Sequence, residues 1–270
     1  MPLLSLKDGA RLYYEVHGNG PAVVFAHGLG GNHMSWWQQV PALMPHYTCV
    51  AFAHRGFAPS QDPAGMPDPA RYADDLETLL DHLKLDDVRL VGQSMGGWTG
   101  LGFALRHPQR VRALVMSATI GTADPAQLPG TTAEERARWD DWSRAEHQAL
   151  AAAGLHPATG ARMAREQPQL HHLYQQIGRL AADFDREAVR KRLWAGRTVP
   201  ADALAALHFP VLCLAGMEDV VINPALVKAL AGALPRARFE AFPETGHSPY
   251  FERAGRFNAL VLDFLKSSTR

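Results

Sequence analysis

Apolar residues fall along this chain in short unbroken runs, separated by stretches in which they recur every three or four positions. The runs at 21–26, 47–53, 88–91, 111–116 and 210–215 are almost wholly apolar, as expected of strands covered on both faces. Residues 3–6 and 11–16, joined by the turn at Asp8-Gly9, read as an antiparallel hairpin at the entry to the fold, and 237–242 as a last strand. Helical spacing lies between these runs. It is plainest over 69–84, where Tyr72, Leu76, Leu79, Leu80 and Leu83 share one face with acidic residues between them. Further helices are expected over 36–43, 97–105, 224–234 and 251–266. Such alternation predicts an α/β fold, a mainly parallel sheet with helices on both faces.

From residue 122 to 200 the alternation stops, and Ala, Arg, Gln, Glu and His dominate with few β-branched residues. This segment is expected to be a helical insertion after the sixth strand, with helices over 132–153, 157–166, 168–182 and 185–194 punctuated by Gly154, Pro157, Pro168 and Gly196. The expected organisation is a core of 1–121 and 201–270 interrupted by 122–200.

Composition narrows the function classes. The 270 residues are 47% hydrophobic, enough for a large core, and the formal charges cancel. A balanced charge offers no electrostatic footprint for nucleic acid or an anionic membrane, so the expected partner is a small molecule, neutral and partly apolar. The segment Met1-Pro2-Leu3-Leu4-Ser5-Leu6-Lys7-Asp8 lacks the features of a signal peptide, and no run reaches the ~18 apolar residues of a membrane span. A cytoplasmic protein is expected. Cys49 and Cys213, the only cysteines, both lie in strand-like runs and read as core packing.

The chemistry is concentrated at strand ends. Gly92-Gln93-Ser94-Met95-Gly96 follows a buried strand and opens a helix, so the G-x-S-x-G spacing presents Ser94 at the tip of a tight turn as a nucleophile. A serine hydroxyl needs a base, and an imidazole serves best when a carboxylate fixes its tautomer. Asp219, after the run at 210–215, and His247, after the last strand, fill those roles in the order Ser, Asp, His. All three follow the C-terminal ends of strands, where ligands gather in an open parallel sheet. Asp124, after the sixth strand, is an alternative acid, whereas Glu218 is expected to point elsewhere.

On these features the chain resembles the α/β-hydrolase family: His27-Gly28-Leu29-Gly30-Gly31 after the third strand, the elbow at Gly92 to Gly97, the acid loop at Asp219, and Gly246-His247. The resemblance implies a mainly parallel eight-stranded sheet and makes 122–200 a cap over the active site. It further implies that the backbone amides of Leu29 and Met95 form the oxyanion hole, and that His27 braces its loop. Trp98 and Tyr250 are candidates for the substrate pocket, as are the cap aromatics Trp139, Trp142 and Tyr174. One departure stands at Ala53-His54-Arg55-Gly56-Phe57-Ala58-Pro59-Ser60, where the family commonly has D-x-x-G-x-G-x-S. A rebuilt structural turn is expected there, with His54 or Phe57 shaping the pocket mouth as the sharper alternative.

The resemblance implies a serine hydrolase of small carboxylic esters, with lactones and thioesters in the same range, and no cofactor. Relatives with a similar Ser-Met-Gly-Gly elbow hydrolyse carbon–carbon bonds of diketones or ring-cleavage products, but commonly carry a cap arginine and a Trp after the histidine, where Ser248-Pro249-Tyr250 stands here. Some proteins of this fold are non-catalytic ligand receptors. His171-His172 is no metal pair, since neighbouring helical residues diverge by ~100°.

Overall fold

A computed structural model describes residues 2–181 and 184–268. Its centre is an eight-stranded sheet in the order β1-β2-β4-β3-β5-β6-β7-β8. The strands are β1 (Leu3–Ser5), β2 (Arg11–His17), β3 (Ala22–Ala26), β4 (Thr48–Phe52), β5 (Val88–Gln93), β6 (Val111–Ser117), β7 (Val211–Gly216) and β8 (Ala237–Phe242). β1 and β2 pair antiparallel, as do β2 and β4, and every later pairing is parallel. The helices are α1 (Gln39–Leu43), α2 (Tyr72–Leu83), α3 (Met95–Arg106), α4 (Ala133–Ala152), α5 (Gly160–Glu166), α6 (Pro168–Ala181), α7 (Arg186–Ala195), α8 (Ala201–Ala205), α9 (Pro224–Ala233), α10 (Pro249–Glu252) and α11 (Ala254–Ser267).

The unbroken apolar runs follow from burial on two faces. Val24, Leu90, Leu114 and Cys213 pack on one side with Leu76 and Leu79 of α2, Leu101 of α3 and Leu230 of α9. Val23, Val91, Val115 and Leu212 pack on the other with Trp36 and with Phe257, Val261 and Phe264 of α11. Each such side chain contributes ~1.5–3 kcal/mol by leaving water. Cys49 and Cys213 fall on opposite faces, and burial pushes both thiols up to about 12, so both are inert core residues.

Local chemistry shifts several expected boundaries. In place of a helix over 36–43 there is a single 3₁₀ turn, His33–Trp36, capped by Asn32, and then α1. The helix expected over 251–266 divides at Arg253, whose φ of −130° and ψ of 47° are not helical. α8 has no counterpart in the sequence reading, and the helix read over 168–182 runs to Ala182, which lies outside the described residues.

Helices α4 to α8 lie between β6 and β7, and the two ends of this segment are tied together: Asp124 N–H donates to Val199 O (2.8 Å) and Val199 N–H to Thr122 O (3.0 Å). Thr132 caps α4 in a box with Glu135, and Asp185 caps α7. Several contacts tie the segment down to the sheet loops, among them Ser143 Oγ–H to Val220 O (2.6 Å) and Gln167 Nε2–H to Glu252 O (3.0 Å). Arg162 of α5 reaches Glu218 at 2.7 Å, and a Cβ on Gly178 of α6 would lie 3.2 Å from Gly30 O, so α6 rests directly on the turn after β3.

Candidate active site

Ser94 stands between β5 and α3 with φ 51° and ψ −115°, a left-handed conformation that a β-carbon residue adopts only under constraint. The constraint is close packing around it. Its own amide donates to Ser117 O (2.9 Å), and Gly97 N–H donates back to Ser94 O (2.9 Å). The flanking glycines supply clearance and not a reversed backbone: a Cβ on Gly92 would lie 2.6 Å from Gly96 O, and one on Gly96 only 1.8 Å from Ala26 O. The elbow therefore sits hard against the end of β3, with the strain on the serine itself.

Met95 opens α3, so its amide belongs to the first turn, whose N–H groups have no partner within the helix. Leu29 lies opposite, in the turn closed by Gly31 N–H to Gly28 O (3.0 Å). A Cβ on Gly28 would strike Gln93 Oε1 at 2.2 Å, whereas one on Gly30 meets nothing within 4 Å. A side chain at position 28 would therefore displace the Gln93 amide from between the turn and the elbow. Gln93 completes the link, its Nε2 donating to His247 O at 3.1 Å.

Asp219 and His247 form a buried pair, Nδ1 to Oδ2 2.7 Å, with relative exposures of 1% and 3%. The other carboxylate oxygen accepts Val221 N–H (2.7 Å) and Ile222 N–H (3.0 Å). Fixed by these donors, the carboxylate takes Nδ1–H from the imidazole and leaves Nε2 as the acceptor. Asp124 is elsewhere: its carboxylate accepts Ala126 N–H (2.9 Å) and Gln127 Nε2–H (2.8 Å) within its own turn. Glu218, adjacent to Asp219, turns outward to Arg162, which holds its carboxyl below the usual range.

A second carboxylate carries the histidine loop. Glu252, 5% exposed on α10, accepts Gly246 N–H (2.8 Å) and Ser248 N–H (3.0 Å), bracketing His247 on both sides. Burial raises it to about 7, against the lowering effect of those two donors. The only sequence signal was a Glu five residues beyond the histidine at the start of a helix, which by itself carries no chemistry.

Behind the turn after β3, buried His27 donates from Nδ1 to Gly28 O (2.8 Å) and accepts His54 N–H at Nε2 (2.9 Å). His54 Nδ1 also faces that Nε2 (3.0 Å), and its own Nε2 meets Thr99 Oγ1 (2.8 Å). These bonds assign both tautomers, with protons on both Nδ1 atoms and Thr99 donating. Burial keeps both rings neutral, His27 at about 3 and His54 also well below its ordinary value. His54 and Phe57 are fully enclosed and do not reach the pocket mouth. The turn at residues 53–60 is instead held by Ser60 Oγ–H to Ala53 O (2.7 Å) and by the buried Arg55–Asp75 pair.

Ser94, Leu29, Met95 and His247 all open on one cavity of about 840 Å³ under α4 to α7. Trp98 and Tyr250 line it, as do Trp139 and Tyr174. Trp142 does not; its ring stacks 6.1 Å from Trp139 and stays 43% exposed. Trp98 is clamped in place, its Nε1 donating to Pro69 O (3.1 Å) while its ring occupies the space a Cβ on Gly196 would need. No described helix is long and apolar enough to cross a membrane.

Known proteins carry the same frame. A family model described as alpha/beta hydrolase fold matches residues 21–254. A protein of Caulobacter sp. (strain K31), named provisionally as the carbamate hydrolase RutD, is 33% identical over 94% of this chain and 95% of its own. The solved structure of Est816, described as an N-acyl homoserine lactone degrading enzyme, is 28% identical with a TM-score of 0.77, covering 97% of this chain and 100% of that one. The enol-lactonase of Burkholderia xenovorans LB400 is 27% identical with a TM-score of 0.76, covering 98% and 100%. The family match spans the strand before His27, the elbow and the histidine loop alike, and the chain is accordingly an enzyme of the alpha/beta hydrolase fold family.

Proposed function

We propose that this chain hydrolyses a small carboxylic ester or lactone through an acyl-enzyme on Ser94. The observation that carries the proposal is the buried Asp219–His247 pair opening on the same cavity as a serine held at positive φ. Ser94 Oγ attacks the acyl carbon while His247 Nε2 takes its proton, and Asp219 stabilises the imidazolium. The amides of Leu29 and Met95 receive the oxyanion. His247 then protonates the departing alkoxide, and water repeats the sequence to free the acid and regenerate the serine. Residues 122–200 act as the cap that excludes bulk water and shapes the acyl site. Relatives named for lactone cleavage support the same bond class.

A fluorophosphonate probe tests the assignment. Mass spectrometry should place one adduct on Ser94, and Ser94→Ala should abolish labelling and lower p-nitrophenyl acetate turnover by several orders of magnitude with the fold intact. Labelling elsewhere, or near-native turnover by the variant, would overturn it.

A further inference from the structure

A second imidazole reaches the cavity that holds Ser94 and His247. It belongs to His156, in the turn between α4 and α5. That turn is fixed by its own bonds: His156 O accepts Thr159 N–H (3.0 Å), Thr159 Oγ–H (2.9 Å) and Gly160 N–H (3.1 Å). The ring is fixed as well, its Nδ1 accepting Ala158 N–H at 3.1 Å and its centre standing 5.9 Å from that of the Tyr174 ring. Ala158 O in turn accepts Ser248 Oγ–H at 2.9 Å. The turn therefore hangs from the residue next to His247.

An Nδ1 that accepts an amide proton has none of its own, so the proton of the neutral ring is on Nε2. Among the described residues no acceptor takes that proton. The ring is accessible where it lines the cavity, yet enough protein surrounds it that burial, ahead of the charge on Arg186, lowers it to about 4. At neutral pH it is an uncharged donor. The cations of the same wall do not duplicate it: Arg144 and Arg190 pair with Asp141 and Glu187, Arg186 donates to Gly178 O, and Lys191 carries its charge on a long flexible stem. A charge on such a stem attracts anions from many directions, whereas a fixed N–H selects an uncharged acceptor at one place.

We infer that the alcohol portion of the substrate carries a second, uncharged carbonyl oxygen, and that His156 Nε2–H binds it. This rests on the hydrolase reading above, and it keeps the neutral, partly apolar ligand that the balanced net charge suggests. The side of the substrate follows from the bond to Ser248. His247 must stand beside the departing oxygen to protonate it, and the turn that bears His156 is tied to the next residue, which puts the donor on the leaving-group side of the serine.

The test uses acetate esters in matched pairs, those of hydroxyacetone and acetopropyl alcohol against those of isobutanol and isohexanol, so that a ketone replaces a methyl-bearing carbon at nearly constant shape. Each kcat/KM ratio is divided by the ratio for hydroxide-catalysed hydrolysis, which removes the electronic effect of the ketone. The wild-type enzyme should then prefer the ketone of at least one pair by about threefold or more, the size of one neutral hydrogen bond. In His156→Asn the amide oxygen can still take Ala158 N–H in an Asx turn, but the side chain stops short of the Nε2 position. That variant should bring the ratio back to one and leave the apolar ester unaffected. A normalised ratio at or below one in both pairs, a ratio unchanged in His156→Asn, or an equal loss for both members of a pair, as a purely structural role would give, would overturn the inference. So would a His156-dependent preference confined to methyl levulinate over methyl isocaproate, which carry the difference on the acyl side. Should His156→Asn fail to fold, a nitrogen–proton correlation spectrum of the histidine rings in the Ser94→Ala protein decides. It should show the His156 proton on Nε2 and a shift of that signal with acetopropyl acetate but not with isohexyl acetate; a proton on Nδ1, or the same response to both esters, would overturn the inference. The spectrum also separates the two proposals. The expected shift supports the carbonyl seat even where Ser94 proves not to be the nucleophile, and ester turnover at Ser94 without that shift removes the seat and leaves the nucleophile standing.

Discussion

Gly216 offers a direct test of how the acid loop and the histidine loop are held together. It ends β7, and a Cβ there would lie 1.9 Å from Gly246 O and 2.4 Å from Thr245 O, both backbone atoms of the segment leading into His247. The same two segments are laced by Met217 N–H to Phe242 O (3.0 Å) and Glu218 N–H to Thr245 O (2.9 Å), so neither can retreat alone. Close carbon–oxygen contacts settle at about 3.3–3.6 Å, so Gly216→Ala must drive the strands apart by about 1.4 Å. A misplacement of ~1 Å in a catalytic group costs ~100-fold in rate, and overpacking of this kind costs ~1–3 kcal/mol of stability. Gly216→Ala should therefore lose about 100-fold in kcat for p-nitrophenyl acetate while remaining folded at 25 °C by circular dichroism. Gly255→Ala is the control: it lies exposed in α11, its Cβ would meet nothing within 4 Å, and it should gain ~0.5–1 kcal/mol with unchanged turnover. A folded Gly216→Ala protein with kcat within threefold of wild type would refute the claim that the spacing of these two loops sets the alignment of His247 with Asp219.

Two other substitutions address the carboxylates. Asp219→Asn should lower kcat by ~10⁴ by offering His247 the wrong hydrogen-bond partner, while Asp124→Asn, which touches only its own turn, should change it less than threefold; stopped-flow turnover of both variants decides, and a larger loss for Asp124→Asn would move the acid. Glu252, raised from 4.5 to about 7, holds a proton in the folded state that the unfolded chain has released, so wild-type stability should fall as pH rises between those values, by at most ~1.4 kcal/mol per unit, and stay reduced above about 7. Urea denaturation from pH 4.5 to 8 should show that slope in the wild type and not in Glu252→Gln, and equal slopes would place the protonation elsewhere.

The strands were legible because a strand buried on both faces leaves a local mark, an unbroken apolar run, and the runs at β3 to β7 are of that kind. The elbow was legible because its G-x-S-x-G spacing is itself local, although the contacts that demand it are not: Gly96 is pressed against Ala26 O and the Ser94 amide is held by Ser117 O. What the chain does not write locally is partnership across distance. His27 is held by His54 and His54 by Thr99, pairs separated by 27 and 45 residues, so the protonation of that triad of side chains follows from the sheet bringing them together. His54 was open to a place at the pocket mouth only because nothing near it in sequence revealed Thr99. Charge is subject to a related limit. A sum over 27 basic and 27 acidic residues is blind to where each one lies, and it cannot distinguish Arg190, neutralised three residues away by Glu187, from Arg197, whose guanidinium stacks on the Trp194 ring. The residue types at the candidate site are thus carried by short motifs at strand ends, while their meeting, as of Asp219 with His247, 28 residues on, is the work of the sheet. Which side chains face the serine across the cavity becomes visible only when α4 to α7 are laid over it.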